Sequence, residues 1–139
     1  MIVSTRGRYA LHVLLDLAEH AGGYVPLKDI AARQHISHKY IESIMTSLSK
    51  AGLVEGVHGR GGGYRLNRPP EAYTLGEVLR LTEGDLAPVP CVEHGTERCA
   101  EEGRCPTFPV WNRLNTLIND YLDSVTLADL IEEVPETCR

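Results

Sequence analysis

Leu27-Lys28-Asp29-Ile30-Ala31-Ala32, His35-Ile36-Ser37, His38 to Ala51, Gly52-Leu53-Val54 and Gly56-Val57-His58-Gly59-Arg60-Gly61-Gly62-Gly63-Tyr64-Arg65-Leu66 follow one another along the stretch that decides the fold. The first piece reads as the start of a short helix, the second as a turn, and the third as a second helix capped by Ser37. In that second helix, apolar Ile41, Ile44, Met45 and Leu48 repeat at i, i+3, i+4 and i+7, the stripe of a helix with one buried side. Two helices about a short turn form the helix-turn-helix that reads DNA. After Gly52, a strand, a glycine-rich tip carrying Arg60 and a returning strand spell a β-hairpin beside it. The expected fold is mainly α: a winged helix-turn-helix with a small β-hairpin wing.

The side of the second helix opposite its stripe carries His38, Lys39, Tyr40, Glu42, Ser43 and Thr46. These polar groups gather toward the N-terminal half, where a recognition helix presents side chains to base edges and its positive dipole end to phosphate. An ordinary amphipathic helix with a solvated face has the same pattern, and the attached wing tips the balance toward DNA. Charge agrees. The whole chain has a net charge of −5, but residues 1–70 hold nine Lys and Arg against five Asp and Glu, a net of +4. Residues 71–139 hold five against fourteen, a net of −9. Positive charge therefore sits with the helix-turn-helix, where phosphate neutralisation needs it.

Outward from this stretch, Thr5 to Ala21 reads as a first helix with Tyr9, Ala10, Val13, Leu14, Leu17 and Ala18 as its buried stripe. Arg6 and Arg8 stand in its first turn, where positive charge opposes the macrodipole; a phosphate contact or simple solvation would each account for them. Gly22-Gly23 ends this helix, and Tyr24-Val25-Pro26 is an extended approach to the helix-turn-helix. Downstream, Asn67-Arg68-Pro69-Pro70 has the composition of a stiff linker, and Thr74-Leu75-Gly76-Glu77 has capping-box spacing ahead of a short helix ending near Gly84. Asp85 to Cys105 lacks periodicity and is expected to be a loop, of a length that is usually functional.

From about Thr107 to Ser124 runs the longest helical pattern, with Val110, Leu114, Leu117, Ile118 and Tyr121 joined by Trp111 and Leu122. So wide an apolar band suits a dimerisation helix that pairs with a second copy, although packing on its own domain would also account for it. A homodimer sets two recognition helices about one DNA turn apart, matching a palindromic operator on double-stranded DNA. Thr126-Leu127-Ala128-Asp129 caps a last short helix, and Val134 to Arg139 reads as a frayed tail. The expected organisation is a DNA-binding unit over 1–68, a short helix and cysteine-bearing sensor loop over 69–105, and the dimerisation helix with a terminal helix and tail over 106–139. The N-terminus does not read as a signal peptide and no apolar run is long enough for a bilayer, so a cytoplasmic protein with no membrane association is expected.

In that compartment the four cysteines are better ligands or redox thiols than structural disulfides. Cys91, Cys99 and Cys105 lie in the expected loop, with seven and five residues between them. This is not a C-x-x-C pair. Three thiolates of one loop can converge on an iron–sulfur cluster, whose iron soft sulfur ligands suit, whereas three inert thiols or a regulatory disulfide would have the same spacing. Glu93, Glu97, Glu101 and Glu102 crowd the loop and would oppose further negative charge. Cys138, on the tail, reads as a spare thiol.

Ser4-Thr5-Arg6-Gly7-Arg8-Tyr9-Ala10, Pro26-Leu27 with Ile30-Ala31, Gly52-Leu53-Val54, His58-Gly59-Arg60-Gly61-Gly62-Gly63-Tyr64 and Thr74-Leu75-Gly76-Glu77-Val78 resemble the IscR/NsrR regulators of the Rrf-two superfamily. The three-cysteine loop followed by Pro106-Thr107 and Trp111 is similar too, so the resemblance spans nearly the whole chain. It implies a homodimeric bacterial transcription factor that senses iron–sulfur status, nitric oxide or redox stress. Cys91, Cys99 and Cys105 would then hold an iron–sulfur cluster, with the two-iron two-sulfur form first in line. The recognition helix would read the major groove and the wing, through His58 and Arg60, the minor groove. The residues expected at DNA are Arg8, Lys28, Ser37, His38, Lys39, Tyr40, Glu42, Ser43, His58 and Arg60.

The fourth cluster ligand departs from the resemblance. IscR-type proteins place a histidine three residues after the last loop cysteine, where this chain has Phe108; NsrR-type proteins use an aspartate where it has Arg8. His12, one helical turn beyond Arg8, and His94, inside the loop, are the candidates. No Ser/His/Asp ordering, phosphate cradle or acid–base pair stands out, so an enzyme is not expected. The expectation is a DNA-binding regulator switched by a cluster. The alternative is a winged-helix regulator that senses thiol oxidation or a small molecule without metal.

Overall fold

A computed structural model describes residues 3–94 and 103–133. It contains α1 (Thr5–Glu19), α2 (Leu27–Gln34), α3 (His38–Lys50), β1 (Val54–Val57), β2 (Gly63–Leu66), α4 (Leu75–Glu83), α5 (Phe108–Ser124) and α6 (Leu127–Glu133), with single 3-10 turns at Pro70–Ala72 and Pro90–Val92. The cysteine Cys99, the glutamates Glu97, Glu101 and Glu102, and the tail from Val134 with Cys138 lie outside the described residues.

Local chemistry accounts for the element boundaries. Ser4 caps α1 by accepting from the Gly7 amide at 3.1 Å, and its hydroxyl donates to Glu83 of α4 at 2.5 Å. Ser37 caps α3 by accepting from the Tyr40 amide at 3.2 Å. Thr74 does the same for α4 through the Glu77 amide, and Thr126 with Asp129 closes a reciprocal box at the start of α6. Between α2 and α3, His35 turns the chain with φ 54° and ψ 40°, a left-handed position usually given to glycine. That one residue makes the sharp turn of the helix-turn-helix.

Ala10, Val13, Leu14 and Leu17 of α1, Ile30 of α2 and Ile41, Ile44, Met45 and Leu48 of α3 are buried together. The same core takes in Leu53, Val54, Tyr73, Val78 and Leu127, so α4 and α6 pack into one body with the helix-turn-helix. The stretch read as a stiff linker is tied down on both sides. Tyr73 is fully buried and donates its hydroxyl to Leu53 O at 2.6 Å. Asn67 donates to Gly52 O at 2.8 Å, and Arg68 lies 4.5 Å over the Tyr73 ring while pairing with Glu77 at 3.0 Å.

The wing pairs β1 with β2 antiparallel from Val54↔Leu66 to Val57↔Gly63. Val25, expected only as an extended approach, adds a one-residue antiparallel bridge to β2: its amide donates to Tyr64 O at 2.8 Å and Tyr64 N donates to Val25 O at 2.9 Å. This pairing needs Gly63, because a Cβ there would collide with the Val25 carbonyl, and its φ of 153° disfavours a side chain in any case. α5 behaves differently from the other long helices. No α5 residue is buried, and Val110, Leu117 and Tyr121 are 57%, 49% and 67% exposed. Arg80 of α4 holds α5 by donating to Asp123 at 2.7 and 2.9 Å and to Asn119 at 2.7 Å.

Candidate nucleic-acid interface and cysteine segment

The stripe of α3 is spent on the core, so the residues between its buried positions face outward. Ser37, His38, Lys39, Glu42 and Ser43 are exposed and Tyr40 is half-buried. Tyr40 meets Tyr9 of α1 edge to face with ring centroids 5.7 Å apart, which fixes the ring on one side. Lys28 at the start of α2 and Arg8 on α1 are exposed, as are His58 and Arg60 at the wing tip. The residues expected at DNA thus fall on α1, α2, α3 and the wing, most of them open to solvent. A convex helix end flanked by a basic hairpin can enter a groove and neutralise phosphates on either side.

Two polar clusters set the angle of this surface. The Asp16 carboxylate, only 2% exposed, accepts from Arg33 Nε at 3.0 Å, Arg33 Nη2 at 2.7 Å and Gln34 Nε2 at 2.8 Å, clamping α2 to α1. Burial pushes its pKa up, but the hydrogen bonds from Arg33 and Gln34 and the arginine charge outweigh that, and the carboxyl lies below its ordinary range. Arg6 is the second tie. Its guanidinium donates to Ser43 Oγ at 3.1 Å, Ser43 O at 3.2 Å and Ser47 Oγ at 2.7 Å, joining the start of α1 to the middle of α3. The only sequence signal for this tie was a positive charge at an unfavourable helix end. At the wing, Arg65 pairs with Glu55 across the strands and lies 4.6 Å over the Tyr24 ring.

The cysteine segment begins on a fixed footing. Leu86 is 1% exposed, and Asp85 accepts from the amides of Ala87 and His94, each at 2.8 Å, and from His94 Nδ1 at 3.2 Å. Partial burial pushes the Asp85 carboxyl up, while these amide and imidazole hydrogen bonds pull it down and prevail. Cys91 lies in the 3-10 turn Pro90–Val92, where Asn115 of α5 donates to Val92 O at 3.3 Å. Cys105 stands just before α5, with its sulfur 3.3 Å from Thr107 Oγ1. Both cysteines are half-buried, and each is anchored at one end of the segment that contains Cys99.

Among the described residues, which leave out Cys99, no three His, Cys, Asp or Glu side chains come together as a metal site. His12 is exposed on α1, and His94 is held by Asp85. Cys91 and Cys105 nevertheless fit an iron–sulfur group in kind, since both offer soft sulfur donors from firmly held backbone. The same two thiols fit a redox switch. No helix among the described residues is long and apolar enough to cross a membrane.

A family model described as "Rrf2: Iron-dependent Transcriptional regulator" matches residues 3–133. The chain is 41% identical over 132 residues to the HTH-type transcriptional regulator IscR of Aliivibrio salmonicida, covering 94% of this chain and 77% of that protein. Among solved structures, CymR, the global cysteine regulator of B. subtilis, matches with a TM-score of 0.79 and 35% identity over 97% of this chain and 99% of its own. IscR of T. potens matches with a TM-score of 0.76 and 36% identity over 100% and 92%.

Proposed function

The chain belongs to the Rrf2 family of transcriptional regulators, not to a family of enzymes, and on that premise we propose that it is a homodimer whose hold on a palindromic operator is switched by an iron–sulfur cluster. The observation that carries the DNA side is the outward N-terminal half of α3 beside a wing with Arg60 at its exposed tip. Lys39, Glu42 and Ser43 would meet base edges in the major groove, and Arg60 would enter the minor groove, with Arg8 and Lys28 on phosphates.

The dimer reading is supported by the exposed apolar side of α5, where Leu117, Ile118, Tyr121 and Leu122 line one apolar hollow. Cys91, Cys99 and Cys105 would hold the cluster, and His12 or His94 would complete its ligands. Bound there, such a group supplies a centre whose charge and integrity respond to oxidation and iron supply. The residues carry the rest of the mechanism. Asn115 joins the Cys91 turn to α5, Arg80 joins α5 to α4, and Glu83 joins α4 to the cap of α1. A change in the cysteine segment thereby bears on the helix that carries Arg6 and hence on α3.

A second reading draws on the likeness to CymR, a cysteine regulator, and on Phe108 at the position where IscR-type proteins carry a histidine. In it the loop thiols are oxidised and reduced directly, without metal. One preparation separates the two. Purified without oxygen and reconstituted with iron and sulfide, the protein is expected to show visible absorbance that the Cys99→Ala variant loses. Colourless, iron-free protein with an oxidant-dependent mass shift that disappears in Cys91→Ser would replace the cluster reading by the thiol one.

A further inference from the structure

Three hydroxyls stand on one flank of α3, at Ser43, Thr46 and Ser47, and they are not equivalent. Thr46 donates to Glu42 O at 2.9 Å and Ser47 donates to Ser43 O at 3.4 Å, the back-bonding usual for hydroxyls within a helix. Both have thus given up their hydrogens to the helix. Arg6 reaches both Ser43 and Ser47 from α1, and Ser43 differs because its hydroxyl makes no back-bond within the helix. The guanidinium has no acceptor capacity, so in the 3.1 Å contact the Ser43 oxygen is the acceptor. Its own hydrogen meets no acceptor among the described residues, and Ser43 is exposed. Arg6 itself spends its terminal nitrogens on Ser43 Oγ, Ser43 O and Ser47 Oγ, is half-buried, and so is poorly placed to serve a phosphate.

We propose that Arg6 is a positioning residue that fixes Ser43 as an outward hydrogen-bond donor, so that Ser43 selects an acceptor on a base edge of the operator. A serine free to rotate can donate or accept and so distinguishes bases weakly. With one of its two lone pairs taken by Arg6, Ser43 keeps its donor free and one acceptor site fewer, which tilts it toward guanine O6 or N7, adenine N7 or thymine O4 over the cytosine amino group. The guanidinium charge beside the oxygen polarises the O–H and strengthens that donation. This rests on the DNA-binding reading of α3.

The test is selection of enriched sequences from a randomised duplex library by the full chain and its variants, followed by titration of the best duplex over a range of salt. In Ser43→Ala and in Arg6→Gln the same position of each half-site is expected to lose its preference. Affinity for the best duplex should fall roughly three- to tenfold, the worth of one hydrogen bond. The double variant should be no worse than the weaker single, and Ser43→Thr, which keeps the hydroxyl, should retain the preference. The slope of log affinity against log salt is expected to stay unchanged in Arg6→Gln. A slope smaller by about 0.9 with base preference intact would make Arg6 a phosphate contact and overturn the proposal. Preference retained in Ser43→Ala would overturn it as well. Should the unaltered protein enrich no sequence at all, the DNA-binding reading itself is what fails. Circular dichroism and urea midpoints of each variant separate these outcomes from loss of fold.

Discussion

Single side chains in this protein divide between those that hold the proposed reading surface and those proposed to meet the DNA. Arg60 belongs to the second group: it is exposed at the tip of the wing and has no fold to support. Its replacement by Ala is expected to leave the urea midpoint unchanged and weaken operator binding by roughly 1–3 kcal/mol, with a loss of selectivity, if it reads the groove. A uniform loss on every duplex, measured by competition, would reduce it to a phosphate contact. Asp16 belongs to the first group. Asp16→Asn removes the charge that two Arg33 nitrogens hold at 2.7 and 3.0 Å, and is expected to cost about 2 kcal/mol in urea unfolding. That is below the roughly 3–5 kcal/mol of a fully buried pair because Arg33 reaches solvent. His35 shows a residue taking a conformation its type does not advertise, since the left-handed turn it makes carries no glycine signal.

At the scale of elements, α5 is the exception. α1 and α3 each bury a full stripe, whereas α5 leaves Val110, Leu114, Leu117 and Tyr121 open. An apolar side of that kind is the surface that the proposed dimer would bury. Leu117→Asp is expected to convert a dimer to a monomer in sedimentation equilibrium, with helix content retained because Leu117 is half exposed already. A dimer that persists in this variant would move the interface away from the middle of α5. The wing is also more than its hairpin. Through the bridge from Val25 to Tyr64 the two-stranded hairpin is joined to the entry of α2, so its angle follows the helix-turn-helix.

For the molecule as a whole, acid is the informative stress. Asp16 and Asp85 are held below their ordinary range because hydrogen bonds outweigh burial, and Asp123 because Arg80 bonds it directly. A carboxyl whose folded pKa lies below its unfolded value of about 3.9 stabilises fully above that pH, and the gain is lost as pH falls through the folded value. The urea midpoint is therefore expected to hold from neutral pH down to about 5 and to drop steeply below 4, with a shallower drop in Asp16→Asn. An equal drop in both proteins would assign acid sensitivity to other carboxyls.

Much of this architecture was legible in the chain itself. The stripes of α1 and α3, the caps at Ser37, Thr74 and Thr126, and the glycine-rich hairpin are written in residues a few positions apart, because helix periodicity, capping and turn geometry are local. The basic front and acidic rear could likewise be counted without coordinates. Tertiary structure alone decided that Val25 joins the wing, that Tyr73 and Leu127 enter the core of the helix-turn-helix, and that Arg6 grips Ser43 instead of standing free. Those contacts join residues tens of positions apart, and no local pattern records them: they exist because burying Tyr73 and closing α1 over α3 bring polar groups together that must then satisfy one another.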